Sequence, residues 1–221
     1  MTSVIFDLDG TLIDSAPDIH AEANRVLAEQ GFGPLPLAQV RGFIGKGVPH
    51  LIERLLEAAG EPSDGPRHAP MVASFTAGYL TAVTLTQIYP GVIAALDALQ
   101  AMGCKLGICT NKPAAPTHAV LKYLQLDGYF PTVIGGDSLP VRKPDPAPLH
   151  AAAAAMGSAV VLYVGDSETD AATAQNAGLP FLLYTEGYRK TPAEDLPHDA
   201  LFSDFAALPA LVASLSGQPK P

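Results

Sequence analysis

The chain has 221 residues, 48% of them hydrophobic, enough for one large domain or two small ones with a real core. Its formal charge of −9 opposes nucleic acid and anionic membranes as partners. No apolar run approaches the roughly 18 residues of a membrane span, and no basic region followed by an apolar stretch marks a signal peptide.

In chain order, Val4-Ile5-Phe6 reads as a short buried strand. It runs into Asp7 and Asp9, whose i, i+2 spacing on extended backbone puts both carboxylates on one face. Gly10 then lets the chain turn and approach whatever the acids hold. Two acids this close repel unless a proton or cation lies between them, and Mg²⁺ is the natural hard cation for such a pair. From Ser15 the pattern turns helical. Pro17 suits a first turn, Asp14 and Ser15 are candidate caps, and Ile19, Ala23, Val26 and Leu27 share a face that ends at Gly31. Leu51, Ile52, Leu55, Leu56 and Ala59 form a second stripe ending at Gly60; Val72, Phe75, Tyr79 and Leu80 form a third. Between them Glu61 to Pro66 is loop by composition. Residues 16–85 therefore read as an all-helical insertion, and His20 and His50 within it as structural or solvated.

From Tyr89 onward, strands and helices alternate. Helices are expected over Val92–Met102, Pro113–Leu124, Pro146–Met156 and Glu168–Ala177. Strands are expected at Lys105–Cys109, Thr132–Gly135, Val160–Val164 and Phe181–Tyr184. This alternation implies a parallel sheet covered on both faces, with ligands bound beyond the carboxyl ends of its strands. Cys104 and Cys109 lie about 17 Å apart along one strand at roughly 3.3 Å per residue, too far for a disulfide. Buried thiols in a reducing, cytoplasmic setting are expected instead. The tail from Gly217 to Pro221 reads as loosely ordered.

Four segments, each read as following a strand, carry a resemblance. Asp7-Leu8-Asp9-Gly10-Thr11-Leu12-Ile13-Asp14-Ser15, Ile108-Cys109-Thr110-Asn111-Lys112, Arg142-Lys143-Pro144-Asp145-Pro146 and Val164-Gly165-Asp166-Ser167-Glu168-Thr169-Asp170 resemble, in order, the four motifs of the haloacid dehalogenase superfamily. The resemblance spans about residues 1–185. It implies a Rossmann-like α/β core over residues 1–15 and 86–221, with an inserted helical cap domain over residues 16–85. It also implies Mg²⁺-dependent hydrolysis of small phosphate monoesters. In that reading Asp7 is the nucleophile that becomes an aspartyl-phosphate, and Asp9 is the proton donor and later the base. The Asp7 side chain, the Asp9 carbonyl and Asp166 hold Mg²⁺, with Asp170 assisting. Thr110 and Lys143 bind the phosphoryl group with help from the Asn111 backbone.

The segment Val40-Arg41-Gly42-Phe43-Ile44-Gly45-Lys46-Gly47 resembles the substrate-specificity loop of the phosphoglycolate phosphatases. Gly45 would admit a small ligand there, and Arg41 or Lys46 would meet a carboxylate; a Gly-rich hinge is the plainer reading. The resemblance thus points to 2-phosphoglycolate as substrate. A sugar-phosphate phosphatase or a β-phosphoglucomutase-like phosphotransferase is the alternative, and a binding protein on a degenerate catalytic fold is the non-enzyme one. The expected partner is a small phosphorylated metabolite, the expected assembly a monomer or homodimer.

Overall fold

Three consecutive apolar residues with no exposed surface, Val4, Ile5 and Phe6, make the first strand the middle of the structure. The computed structural model describes residues 1–217; of the tail expected to be loose from Gly217 to Pro221, residues 218–221 lie outside the described residues. The elements in chain order are β1 (Thr2–Phe6), β2 (Ile13–Asp14), α1 (Ala16–Glu29), α2 (Leu37–Arg41), α3 (Val48–Ala58) and α4 (His68–Tyr79). Then come β3 (Gln87–Ile88), α5 (Val92–Ala101), β4 (Lys105–Cys109), α6 (Ala114–Tyr123), β5 (Thr132–Ile134) and α7 (Ala147–Met156). The chain continues through β6 (Val160–Gly165), α8 (Glu168–Ala177), β7 (Phe181–Tyr184), β8 (Ala200–Phe202) and α9 (Leu208–Ser216).

Six strands form one sheet in the order β5-β4-β1-β6-β7-β8, and every pair is parallel. Strand β1 pairs with β4 on one side (Phe6 opposite Ile108) and with β6 on the other (Phe6 opposite Val164). The period of two divides each strand between two cores. Val4, Phe6, Ile108, Leu162, Val164 and Leu182 face one core; Ile5, Cys109, Tyr163, Phe181 and Leu183 face the other. This is an α/β, Rossmann-like arrangement with helices over both faces. Both cysteines are buried free thiols, and burial pushes the Cys109 thiol up to about 12. Among the described residues, no helix is long and apolar enough to cross a membrane.

The helical stripes read between residues 16 and 80 close on one another in a third core built from α1, α2, α3 and α4. Val26, Val40, Ile52, Leu55, Met71 and Phe75 have no exposed surface there. The chain enters this block after β2 and returns through β3. These two form a short antiparallel ribbon, Ile13 opposite Ile88 and Asp14 opposite Gln87. The sequence contains no sign of this ribbon, because two-residue strands are too short for periodicity. Asp18, in the first turn of α1, ties the two crossings together: its Oδ2 accepts from Leu85 N–H (3.0 Å), Thr86 N–H (2.7 Å) and the Thr86 hydroxyl (2.6 Å).

Three further differences have local causes. Helix α2 occupies Leu37–Arg41, so the segment read as a loop from Val40 begins in a helix. The third motif does not directly follow a strand, because the loop over residues 135–146 separates Lys143 from β5. Between Tyr184 and the tail at Gly217 the sequence pattern assigns no element. Strand β8 is only three residues, but α9 carries ordinary signals: Pro209 in its first turn, Leu208 and Val212 buried, and Gly217 at its end with a φ of 68°.

Replacing Asp18 by Ala should leave the Leu85 and Thr86 N–H groups without their acceptor and lower unfolding stability by about 1.5–3 kcal/mol. The urea midpoint measures this; an unchanged midpoint would show that the crossing does not depend on Asp18.

Candidate active site

Strands β1 and β6 end side by side, and each releases an aspartate at its carboxyl end. Asp7 continues the ladder, its N–H donating to the Val164 carbonyl at 2.8 Å. Asp166 follows Gly165 directly. A third acid, Asp170, sits at the third position of α8. It closes a capping box with Ser167 while its other oxygen faces the cluster. One oxygen each of Asp7, Asp166 and Asp170 lies within 4.8 Å of the others, and all three residues are buried. The capping and site readings of Asp170 are therefore both satisfied, by different oxygens. Oδ2 accepts from the Ser167 hydroxyl (2.6 Å) and N–H (3.1 Å); Oδ1 accepts from Lys143 (2.7 Å) and the Tyr163 hydroxyl (2.7 Å).

Lys143 supplies the positive charge. Its Nζ lies 3.0 Å from Asp7 Oδ1 and 2.7 Å from Asp170 Oδ1. The loop carrying it is tied down by Asn111, whose Oδ1 accepts from the Lys143 N–H (3.0 Å) and whose Nδ2 donates to the Lys143 carbonyl (3.0 Å). The same Nδ2 donates to the Gly45 carbonyl at 3.0 Å, reaching into the helical block. Thr110, next to Asn111, follows β4 directly; its N–H donates to the Ile134 carbonyl and its hydroxyl accepts from the Lys112 N–H at 3.3 Å.

Asp9 points elsewhere. Its Oδ1 accepts from the Ser15 hydroxyl (2.6 Å) and from Lys112 Nζ (3.1 Å). Ser15 thus spends its hydroxyl on Asp9 and does not cap α1. The N–H groups of Ser15 and Ala16 donate instead to the Tyr188 hydroxyl (2.8 and 3.0 Å), which donates to Asp14 (2.7 Å). The Tyr188 N–H also donates to Asp166 Oδ2 (2.6 Å), and Thr11 to Asp166 Oδ1 (2.7 Å). Close packing here requires glycine. Gly10 has a φ of 90°, and a Cβ on it would lie 2.6 Å from Asp166 Oδ2; one on Gly187 would lie 2.3 Å from the same atom. Tyr188, Tyr163 and Lys112 were not singled out from the sequence. Tyr188 is 173 residues from Ser15, and no local spacing signals it.

Three buried carboxylates against one ammonium leave negative charge uncompensated. Burial pushes Asp7 up to about 6, against Lys143 and with Asp170 and Asp9 adding repulsion. Burial, then Asp170 and Asp7, push Asp166 well above the usual carboxylate range. Burial also acts against ionised Asp170, but Lys143, Ser167 and Tyr163 hold it below its ordinary value. The Asp7 Oδ1 atom is buried, and apart from the Lys143 ammonium 3.0 Å away it has no hydrogen-bond donor. A hard divalent cation fits this donor set, which is all oxygen, anionic and converging.

Asp7, Asp9, Thr110 and Asn111 line a small cavity of about 40 Å³, together with Ile44, Gly45, Leu51, Phe75 and Tyr79 from the helical block. That is room for about three waters. Gly45 is therefore at the cavity, while Arg41 and Lys46 do not line it. Arg41 donates to the Gly187 carbonyl (3.2 Å) and stacks 4.8 Å from the Tyr188 ring centre, beside a separate, open groove. Lys46 is solvent-exposed.

The sequence model of the haloacid dehalogenase-like hydrolases matches residues 1–178. A phosphoglycolate phosphatase of Cereibacter sphaeroides is 55% identical over 216 residues, covering 97% of this chain and 99% of its own. One from Rhodobacter capsulatus is 53% identical over 210 residues, covering 95% and 96%. The crystal structure of a predicted phosphoglycolate phosphatase from Haemophilus somnus superposes with a TM-score of 0.87 at 31% identity, over 93% of this chain and 95% of that one.

Without a divalent cation, ionised Asp7 opposes folding. Its folded-state value lies above the ordinary 3.8, so the penalty is absent below about pH 4 and grows as pH rises through about 6. Asp7→Asn should therefore raise unfolding stability at pH 7.5 in chelator by up to about 3 kcal/mol at 1.36 kcal/mol per pH unit, read as a higher melting temperature, with the gap closing at pH 4. Added Mg²⁺ should stabilise the wild type more than the variant. A lower melting temperature for Asp7→Asn at pH 7.5 would contradict this.

Proposed function

The chain belongs to the haloacid dehalogenase-like hydrolase family, and from that membership we propose that it is a Mg²⁺-dependent phosphatase acting on 2-phosphoglycolate. The observation that carries the reading is the convergence of three buried carboxylates, Asp7, Asp166 and Asp170, with Asp7 in the wall of a cavity. The named activity of relatives above 50% identity across nearly the whole chain supports the substrate.

In this mechanism Asp7, Asp166 and the Asp9 carbonyl would hold the cation, with Asp170 beside them, and Mg²⁺ bound there would offset negative charge on the phosphoryl oxygens. A carboxylate oxygen of Asp7 attacks phosphorus, and the bond from phosphorus to the glycolate oxygen breaks. Asp9 gives its proton to that oxygen, so glycolate leaves as the free alcohol. Asp9 then takes a proton from water, whose oxygen attacks phosphorus and releases phosphate, restoring Asp7. Lys143 and Thr110 meet the equatorial phosphoryl oxygens, where an ammonium and a hydroxyl stabilise developing charge. Lys143 also balances Asp7 and Asp170 before substrate arrives. The Asn111 side chain holds the Lys143 loop, and its backbone N–H adds to the phosphate cradle.

We assign residues 16–85 the part of a cap over a core of residues 1–15 and 86–221. Closure would exclude water, and the Asn111–Gly45 hydrogen bond is a latch between the two parts. The buried thiols suit a reducing, cytoplasmic setting.

Hydrolysis of 2-phosphoglycolate should stop in EDTA and return with Mg²⁺. Asp7→Asn should lower kcat at least about 10³-fold, or about 4 kcal/mol in barrier, while the protein stays folded by circular dichroism. Turnover that survives chelation, or that Asp7→Asn retains, would sink the mechanism. A panel of small phosphate esters tests the substrate. A sugar phosphate hydrolysed with much higher kcat/KM than 2-phosphoglycolate would leave a phosphatase of different specificity.

A further inference from the structure

We propose that Lys112 reads the substrate's carboxylate and so sets the preference for a small acidic ester; the inference rests on the 2-phosphoglycolate reading above. Lys112 lies two residues past Thr110 and lines the same cavity as Asp7, yet the mechanism gives it no task. Among the residues lining that cavity it is the one cation. The wall contributed by the helical block includes Ile44, Val48, Leu51 and Phe75, which offer a carboxylate nothing. A carboxylate taken into such a space without a cation would lose its hydration uncompensated. The two cations expected from the sequence, Arg41 and Lys46, do not line the cavity, and Arg41 is committed to Gly187 and Tyr188.

The Lys112 ammonium is held ready. It is 6% exposed. Its Nζ lies 3.1 Å from Asp9 Oδ1, donates to the Tyr79 hydroxyl, and stands 3.9 Å from the centre of the Tyr79 ring. Asp9 Oδ1 and the Tyr79 hydroxyl are its close acceptors; its remaining contact, to Asp9 Oδ2, is a long 3.5 Å, and that N–H can turn to a ligand. Tyr79 belongs to α4, so the same ammonium joins the catalytic loop to the helical block. A substrate with its phosphoryl group at Asp7 and Thr110 then needs an anionic group only a short way along, at Lys112. That describes phosphate esters of short hydroxy acids, and a neutral alcohol of equal size lacks the contact.

The test is the ratio of kcat/KM for 2-phosphoglycolate to that for ethyl phosphate, which puts a methyl in place of the carboxylate. Lys112→Met should lower this ratio about 10- to 150-fold, the range of a charge-assisted hydrogen bond, and Lys112→Arg should restore part of it. Arg41→Ala should leave the ratio within about threefold. If Lys112→Met does not fold, Lys112→Gln reads the same ratio. Binding gives an independent check: 3-phosphonopropionate, a non-hydrolysable analogue, should lose inhibition in the neutral variants by a similar factor, and propylphosphonate should not. A ratio unchanged in Lys112→Met, with both esters falling together, would make Lys112 a support for Asp9 and overturn the inference while leaving the phosphatase reading intact. A shift in Arg41→Ala instead would overturn it as well. A wild type with no preference for 2-phosphoglycolate would remove the substrate reading, and this inference with it.

Discussion

The Lys143 ammonium, within 3.0 Å of both Asp7 and Asp170, is the contact on which the site depends. Three carboxylates brought within 4.8 Å of one another in a buried space repel strongly. One cation makes the arrangement tolerable and leaves a deficit that a second, divalent cation fills. The fold is built to keep that ammonium in place. Asn111 grips the backbone of Lys143 from both sides, and Tyr163 reaches up from β6 to the same Asp170 oxygen. Burial disfavours a charged amine, but the two carboxylates hold Lys143 protonated above its ordinary range. An exposed lysine at this position would do neither job, because solvent would screen it.

A second constraint is the narrow crossing between the sheet and the helical block. Asp9, Asp14 and Asp18 lie within ten residues of one another, and each faces a different set of partners. Asp9 takes the Ser15 hydroxyl and Lys112; Asp14 takes Tyr188; Asp18 takes the returning strand at Thr86. Tyr188 joins this crossing to the carboxylate cluster, since its N–H donates to Asp166 and its hydroxyl serves Ser15, Ala16 and Asp14. These contacts tie the helical block to the sheet.

Much of this was readable in one dimension. The strands β1, β4, β6 and β7 are short apolar runs with turn signals on both sides, and their order in a parallel sheet brings the strand-end acids Asp7 and Asp166 together. Helical stripes such as Leu51, Ile52, Leu55 and Leu56 marked the helices whose apolar faces form the third core. What stayed hidden depends on distance in sequence. The two-residue ribbon has no period, and Tyr188 acts on residues more than 170 positions earlier. Lys112 was visible as a letter in the second motif, but a lysine is rarely buried, and only the folded chain shows it against Tyr79 and Asp9. The reverse holds for Arg41 and Lys46. Their charge and glycine-rich surroundings suggested a ligand, yet the fold turns Arg41 toward Gly187 and leaves Lys46 in solvent.

The central claim is that Asp7 forms a covalent bond to phosphorus. Rapid acid quench during turnover of phosphorus-labelled 2-phosphoglycolate, followed by peptide mapping, tests it most directly. The account predicts label on the peptide carrying Asp7, appearing before free phosphate and absent from Asp7→Asn. Free phosphate released with no labelled protein at any time point, or label on a peptide lacking Asp7, would contradict it.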